Sequence, residues 1–72
     1  MNGQKPVNQV RWEIEWIGPG GQKHRDCEFN YRYAVHSVRH RYPQAVIVDR
    51  GPVKQVRCDD LGIVALLRPI RS

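Results

Sequence analysis

Only one stretch of this sequence carries a helical period, Asn30–Tyr42 (NYRYAVHSVRHRY), and every other element must arrange itself around it. Tyr31, Ala34, Val35, Val38 and Tyr42 fall at i, i+3, i+4, i+7 and i+11. That spacing lines one apolar stripe along a helix turning roughly 100° per residue. Asn30 stands just ahead of the stripe, where its side-chain oxygen can cap the free N–H groups of the first turn. Arg39, His40 and Arg41 crowd the last turn, beside the negative end of the helix dipole. Pro43 has no N–H and restricts Tyr42, so the helix ends there.

The flanking segments read as strands. Gln9–Ile17 alternates, with Val10, Trp12, Ile14 and Trp16 on one side and Gln9, Arg11, Glu13 and Glu15 on the other. Gly18-Pro19-Gly20-Gly21 breaks it. Gln22–Phe29 suits a return strand; a helix beginning near Asp26 is the competitor, since Cys27 would extend the stripe. In the hairpin reading, a four-residue turn sets Trp12 opposite Cys27 and Val10 opposite Phe29, apolar against apolar. Arg11 then meets Glu28, and Glu15 meets His24. The same register sets Glu13 against Asp26, a repulsion that a bulge or a shifted register would relieve.

Beyond the helix, Ala45–Asp49 is apolar on both faces and reads as a central strand. Arg50-Gly51-Pro52 turns the chain. Val53–Asp59 alternates, with Val56 and Cys58 against Gln55 and Arg57, and Asp59–Gly62 is a turn by composition. Ile63–Leu67 is the last strand, also apolar on both faces, and Pro69 ends it. The expected fold is α+β: an antiparallel sheet in the order β-β-α-β-β-β with one helix on one face, preceded by a loose arm over residues 1–8. Residues 9–70 then form a single domain. Trp12, Trp16, Val35, Val38 and Val56 are its expected core. Seventy-two residues allow a core of limited size, since a chain this short buries only about 60% of its unfolded surface. One helix covers one sheet face. The two doubly apolar strands therefore expose side chains on the other, and such a patch favours a homodimer or partner interface.

The outer side of the helix holds Arg32, Tyr33, His36, Arg39 and His40 with no acid in the helix, and Arg25, His24 and Phe29 lie just upstream. Overall the chain has nine Arg and three Lys against seven acids, net +5. Guanidinium forks pair bidentately with phosphate or carboxylate, and aromatic rings stack on unpaired bases or on Arg. Arg25, Arg32, Tyr33, His36, Arg39 and His40 are therefore the candidate contacts for an acidic partner: a nucleic acid, a nucleoprotein or an acidic protein. The competing reading is a solvated charged face.

Other chemistry finds less support. His36 and His40 have the i, i+4 spacing of a shared metal, but His24 or Cys27 would have to complete the set beside repelling arginines, and neither a metal nor a cofactor is expected. Ser37 and Ser72 are the only serines, and Ser37 points away from His36 on a helix, so no triad forms. A small ribonuclease built on His36, His40, Arg32 and Tyr33 is the enzymatic alternative; nothing marks these residues as a pocket, and a non-enzymatic protein is expected. Cys27 and Cys58 read as buried thiols of a reducing cytoplasm, with a single bridge as the alternative. The longest apolar run, Ile63–Leu67, is far too short to span a membrane, and MNGQKPVN has no apolar signal region.

At the level of element order over Val10–Leu67, the chain resembles small phage-encoded anti-CRISPR inhibitors, several of which are compact sheet-plus-helix proteins. The resemblance implies a cytoplasmic inhibitor that docks basic helix residues on a CRISPR surveillance complex. It would make Arg32 and Arg39 the contact residues.

Overall fold

A computed structural model describes residues 10–70; the expected arm at 1–8 lies outside the described residues. The elements are β1 (Trp12–Ile17), β2 (Lys23–Glu28), α1 (Tyr31–Arg41), β3 (Val46–Arg50), β4 (Val53–Cys58), a single 3-10 turn (Asp59–Leu61) and β5 (Gly62–Pro69). They form an antiparallel five-stranded sheet of order β2-β1-β5-β4-β3, with α1 packed against β1, β2 and β5. The α+β architecture is the one the residue pattern implies. Among the described residues no helix is long and apolar enough to cross a membrane.

The core lies under the helical stripe. Ala34 and Val38 of α1 meet Ile14, Trp16, Val56, Val64, Ala65 and Leu67 of the sheet, all buried, with Trp12, Tyr31, Val35 and Tyr42 packed at the margin. Asn30 caps α1 as its position suggests, its Oδ1 accepting from the Tyr33 amide at 3.0 Å. At the other end the Tyr42 amide donates to the Val38 carbonyl at 2.8 Å before Pro43 stops the helix. In β5 the pairing with β4 steps from Ala65 to Ile63, leaving Val64 as an inserted residue. A bulge of this kind turns two neighbours to one side, and both Val64 and Ala65 are buried.

Three expectations change. The first hairpin pairs one residue out from the apolar-on-apolar register: Trp12 opposes Glu28, Glu13 opposes Cys27 and Glu15 opposes Arg25. The turn decides this. The Gly18 amide donates to the Gln22 carbonyl, and Gly21 donates back to Gly18, so the loop proper is Pro19-Gly20-Gly21. Gly21 takes the positive φ (83°) that a three-residue loop requires. A one-residue slip reverses which side every β2 residue faces. It removes the Glu13–Asp26 repulsion and leaves Phe29 exposed instead of opposite Val10.

The second change concerns β3, which is an edge strand; β5 holds the centre. Gly51-Pro52 joins β3 to β4 through a two-residue hairpin, with Gly51 at φ 77° as primed turns demand, and β5 takes the other side of β4, which leaves β3 at the end of the sheet. The third concerns the cysteines. Both are free, Cys27 exposed on edge strand β2 and Cys58 half-buried on β4. Two strands separate them, about 14 Å of sheet, too far for a bridge.

Two outcomes follow from this packing. Val38→Asp sets an unpaired carboxylate under the helix at a cost of at least about 3 kcal/mol. A chain of this length has only about 4–11 kcal/mol in total, taken at 0.05–0.15 per residue. The cooperative thermal transition should therefore drop sharply or vanish, and an unchanged melt would show the stripe does not form the core. The β3–β4 turn gives the second. Asp49 accepts from Lys54 Nζ and from the Gly51 amide, each at 3.1 Å, and Lys54, then Gly51, holds its pKa below the ordinary 3.8. A depressed carboxylate stabilises the fold above its unfolded pKa and loses that contribution as pH falls through the folded one. Asp49→Asn should lower the melting temperature slightly at neutral pH, and the gap to wild type should close below about pH 4.

Candidate functional site

The exposed arc of α1 brings together five of the six residues the sequence singles out. Arg32, Tyr33, His36, Arg39 and His40 are all exposed, spread over about 120° of the helix circumference. Arg32 and Arg39 lie two turns apart, about 10 Å along one side. Asn30, Arg32, Tyr33 and His36 line a shallow cleft at the start of the helix. Arg25 does not join them. The shifted hairpin register turns it to the far side of the sheet, where its Nε lies 3.6 Å from Glu15 Oε2. Arg41 lies outside the arc, its guanidinium 5.0 Å from the Trp16 ring centroid.

Charge pairing separates the two sides of the molecule. On the uncovered sheet face, Arg68 Nη1 donates to Glu13 Oε2 at 3.2 Å and to Glu15 Oε1 at 3.5 Å. Arg25 and Arg68 between them enclose Glu15, which is only 5% exposed although no helix covers that face. A carboxylate removed from water must be paired, and the arginine stems supply the cover. On the helix side of β2, Asp26 accepts from the Trp16 indole N–H at 2.7 Å and pairs with His24 at 3.4 Å. Glu28 accepts from the Ser37 hydroxyl at 3.0 Å. Asp49 is held by Lys54. Only Asp59 and Asp60, in the 3-10 turn, remain without such a partner among the described residues. Arg32, His36, Arg39 and His40 have no carboxylate within 4.0 Å among the described residues.

Two features escape a reading of sequence pattern. Phe29 is 73% exposed and rests against Tyr33, itself 53% exposed, at 5.9 Å between centroids and 60° between planes. The i, i+4 spacing of the two rings was the available signal. The second feature is the Trp12–Tyr31 pair, 4.8 Å apart, with Lys54 Nζ 5.9 Å from each ring. That group closes one end of the core. His36 and His40 face outward, and among the described residues no three His, Cys, Asp or Glu side chains converge as a metal set would.

The arc can therefore offer guanidinium and imidazole donors with aromatic rings beside them, and its cations are not already neutralised. The chain matches no protein-family model, no curated protein and no solved structure.

Proposed function

We propose that the protein is a non-enzymatic binding module that docks the outer face of α1 on the acidic surface of a nucleic acid or a nucleoprotein. The support is the contrast in pairing. Five of the seven side-chain carboxylates are engaged on the sheet, while Arg32 and Arg39 stand exposed along one side of the helix with no carboxylate partner among the described residues. Guanidinium groups displayed in this way fit phosphates bidentately. Inhibition of a phage-defence nucleoprotein, as in the anti-CRISPR proteins with similar element order, is the biological form this reading takes. It places the protein in the cytoplasm of a host cell.

Reversing both charges tests the reading. Arg32→Glu with Arg39→Glu leaves the apolar stripe intact, so the melt should barely move. Nucleic-acid binding should weaken at every sequence, and the salt dependence should flatten by up to about two units of slope, one for each phosphate no longer neutralised. Arg11→Glu with Arg57→Glu changes net charge equally on other exposed surfaces. Equal weakening by both pairs would reduce the effect to overall charge, and no weakening by the helix pair would sink the reading.

A second reading has one observation behind it. Val46, 58% exposed, and Ile63, 36% exposed, lie on the uncovered sheet face beside half-buried Val48 and Leu66. A homodimer through this face would bury them. Sedimentation velocity over a micromolar concentration series should then show a dimer that Val46→Glu dissociates. A monomer throughout would discard this reading.

A further inference from the structure

Building on the basic-face reading, we propose that Phe29 and Tyr33 form a base-stacking platform, and that the partner is a nucleic acid presenting unpaired bases. Phe29 occupies the position just before the N-cap of α1, where an apolar side chain commonly staples itself to the fourth residue of the helix. Here that residue is Ala34, which is fully buried, while Phe29 stays 73% exposed. Its ring lies outside against Tyr33, and the two most exposed Phe, Tyr or Trp rings among the described residues adjoin each other. The core does not use them.

The surroundings of the rings point to the ligand. Arg32 and His36 line the same cleft as Tyr33, so basic donors stand beside an aromatic ring. Asn30 spends its Oδ1 on the helix cap, which leaves its NH2 group to donate to a base edge. Basic groups tracking a backbone beside aromatic faces are the general arrangement for single-stranded nucleic acid, because every base has a π face to stack. A duplex keeps its bases stacked on one another and offers these rings nothing but edges and phosphates. An acidic protein surface would use the arginines but leave the rings idle.

Fluorescence anisotropy with labelled oligo(dT), oligo(U) and a duplex of equal length, at one salt concentration, tests the platform. Phe29→Leu with Tyr33→Leu keeps apolar bulk and removes both rings. Single strands should bind the wild type more tightly than the duplex does. The leucine pair should weaken single-strand binding about tenfold or more while leaving duplex binding and the salt slope unchanged. A preference between oligo(U) and oligo(dT), which differ in both the 2′-hydroxyl and the thymine methyl, would support the platform equally. Equal losses on single strand and duplex, no loss on either, or no single-strand binding at all would overturn it. If Arg32→Glu with Arg39→Glu still weakens duplex binding in that event, the basic face survives without the platform; if it does not, both fail. A melt checks each variant. Should the leucine pair unfold, Phe29→Leu alone, outside the helix, supports the same comparison.

Discussion

The packing of α1 on the β1–β5 pair is the constraint on which the rest of this structure depends. Ile14 and Leu67 are cross-strand neighbours at the centre of the sheet, and Ala34 and Val38 sit over that centre; none of the four has any exposed surface. The pairing joins residues more than fifty positions apart, and closing so long a loop costs entropy before any contact repays it. The helix helps because it lies between the two hairpins in sequence and packs on both strands of the first and on β5. Without the stripe, β1–β2 and β3–β4 would each be an isolated hairpin, which is marginal in water. With it, β5 is drawn between β1 and β4 and both hairpins become one sheet.

Turn chemistry then distributes the charge. Gly21, with its positive φ, fixes a three-residue loop and a register that sends Arg25 to one face of the sheet and Asp26 to the other. Arg25 closes over Glu15 from β2 while Arg68 closes over it from β5. Asp26 meets the Trp16 indole near the helix. A register one residue different would have opposed Glu13 to Asp26 and left Glu15 beside His24. The hairpin thus satisfies its charges at the expense of apolar cross-strand matches. Phe29 is the residue that gives up its cross-strand partner.

Much of this was legible in the residues themselves. The helix, its cap and its stripe followed from spacing, because 3.6-residue periodicity is a property of the chain alone. Val38, Val56 and Trp16 are buried as their positions implied. The register was not legible, since it depends on how the glycines of Gly18–Gly21 divide the loop, and alternation fits two registers equally well. The edge position of β3 escaped for a related reason. An apolar strand reads as central when only its side chains are considered, but β1 and β4 both pair with β5, which leaves β3 with β4 as its one neighbour in the sheet. The five arc residues on α1 were legible because a helix displays them whatever the sheet does. Arg25 was not, because its side is set by the hairpin register.

The helix itself carries the last step. Its C-terminal turn obeys the dipole, with Arg39, His40 and Arg41 beside the exposed carbonyls. Its N-terminal turn does not. Arg32 sits at the second helical position, next to the positive end of the dipole, and the first turn contains no acid to offset it. No carboxylate elsewhere on α1 gives i, i+4 support to any of its cations. A helix chosen for stability alone would place Asp or Glu where Arg32 stands and bury or remove Phe29 beside it. Sequences depart from such local rules mainly where a function requires it. Here two departures, an ill-placed cation and an unburied ring, stand on either side of the same N-cap.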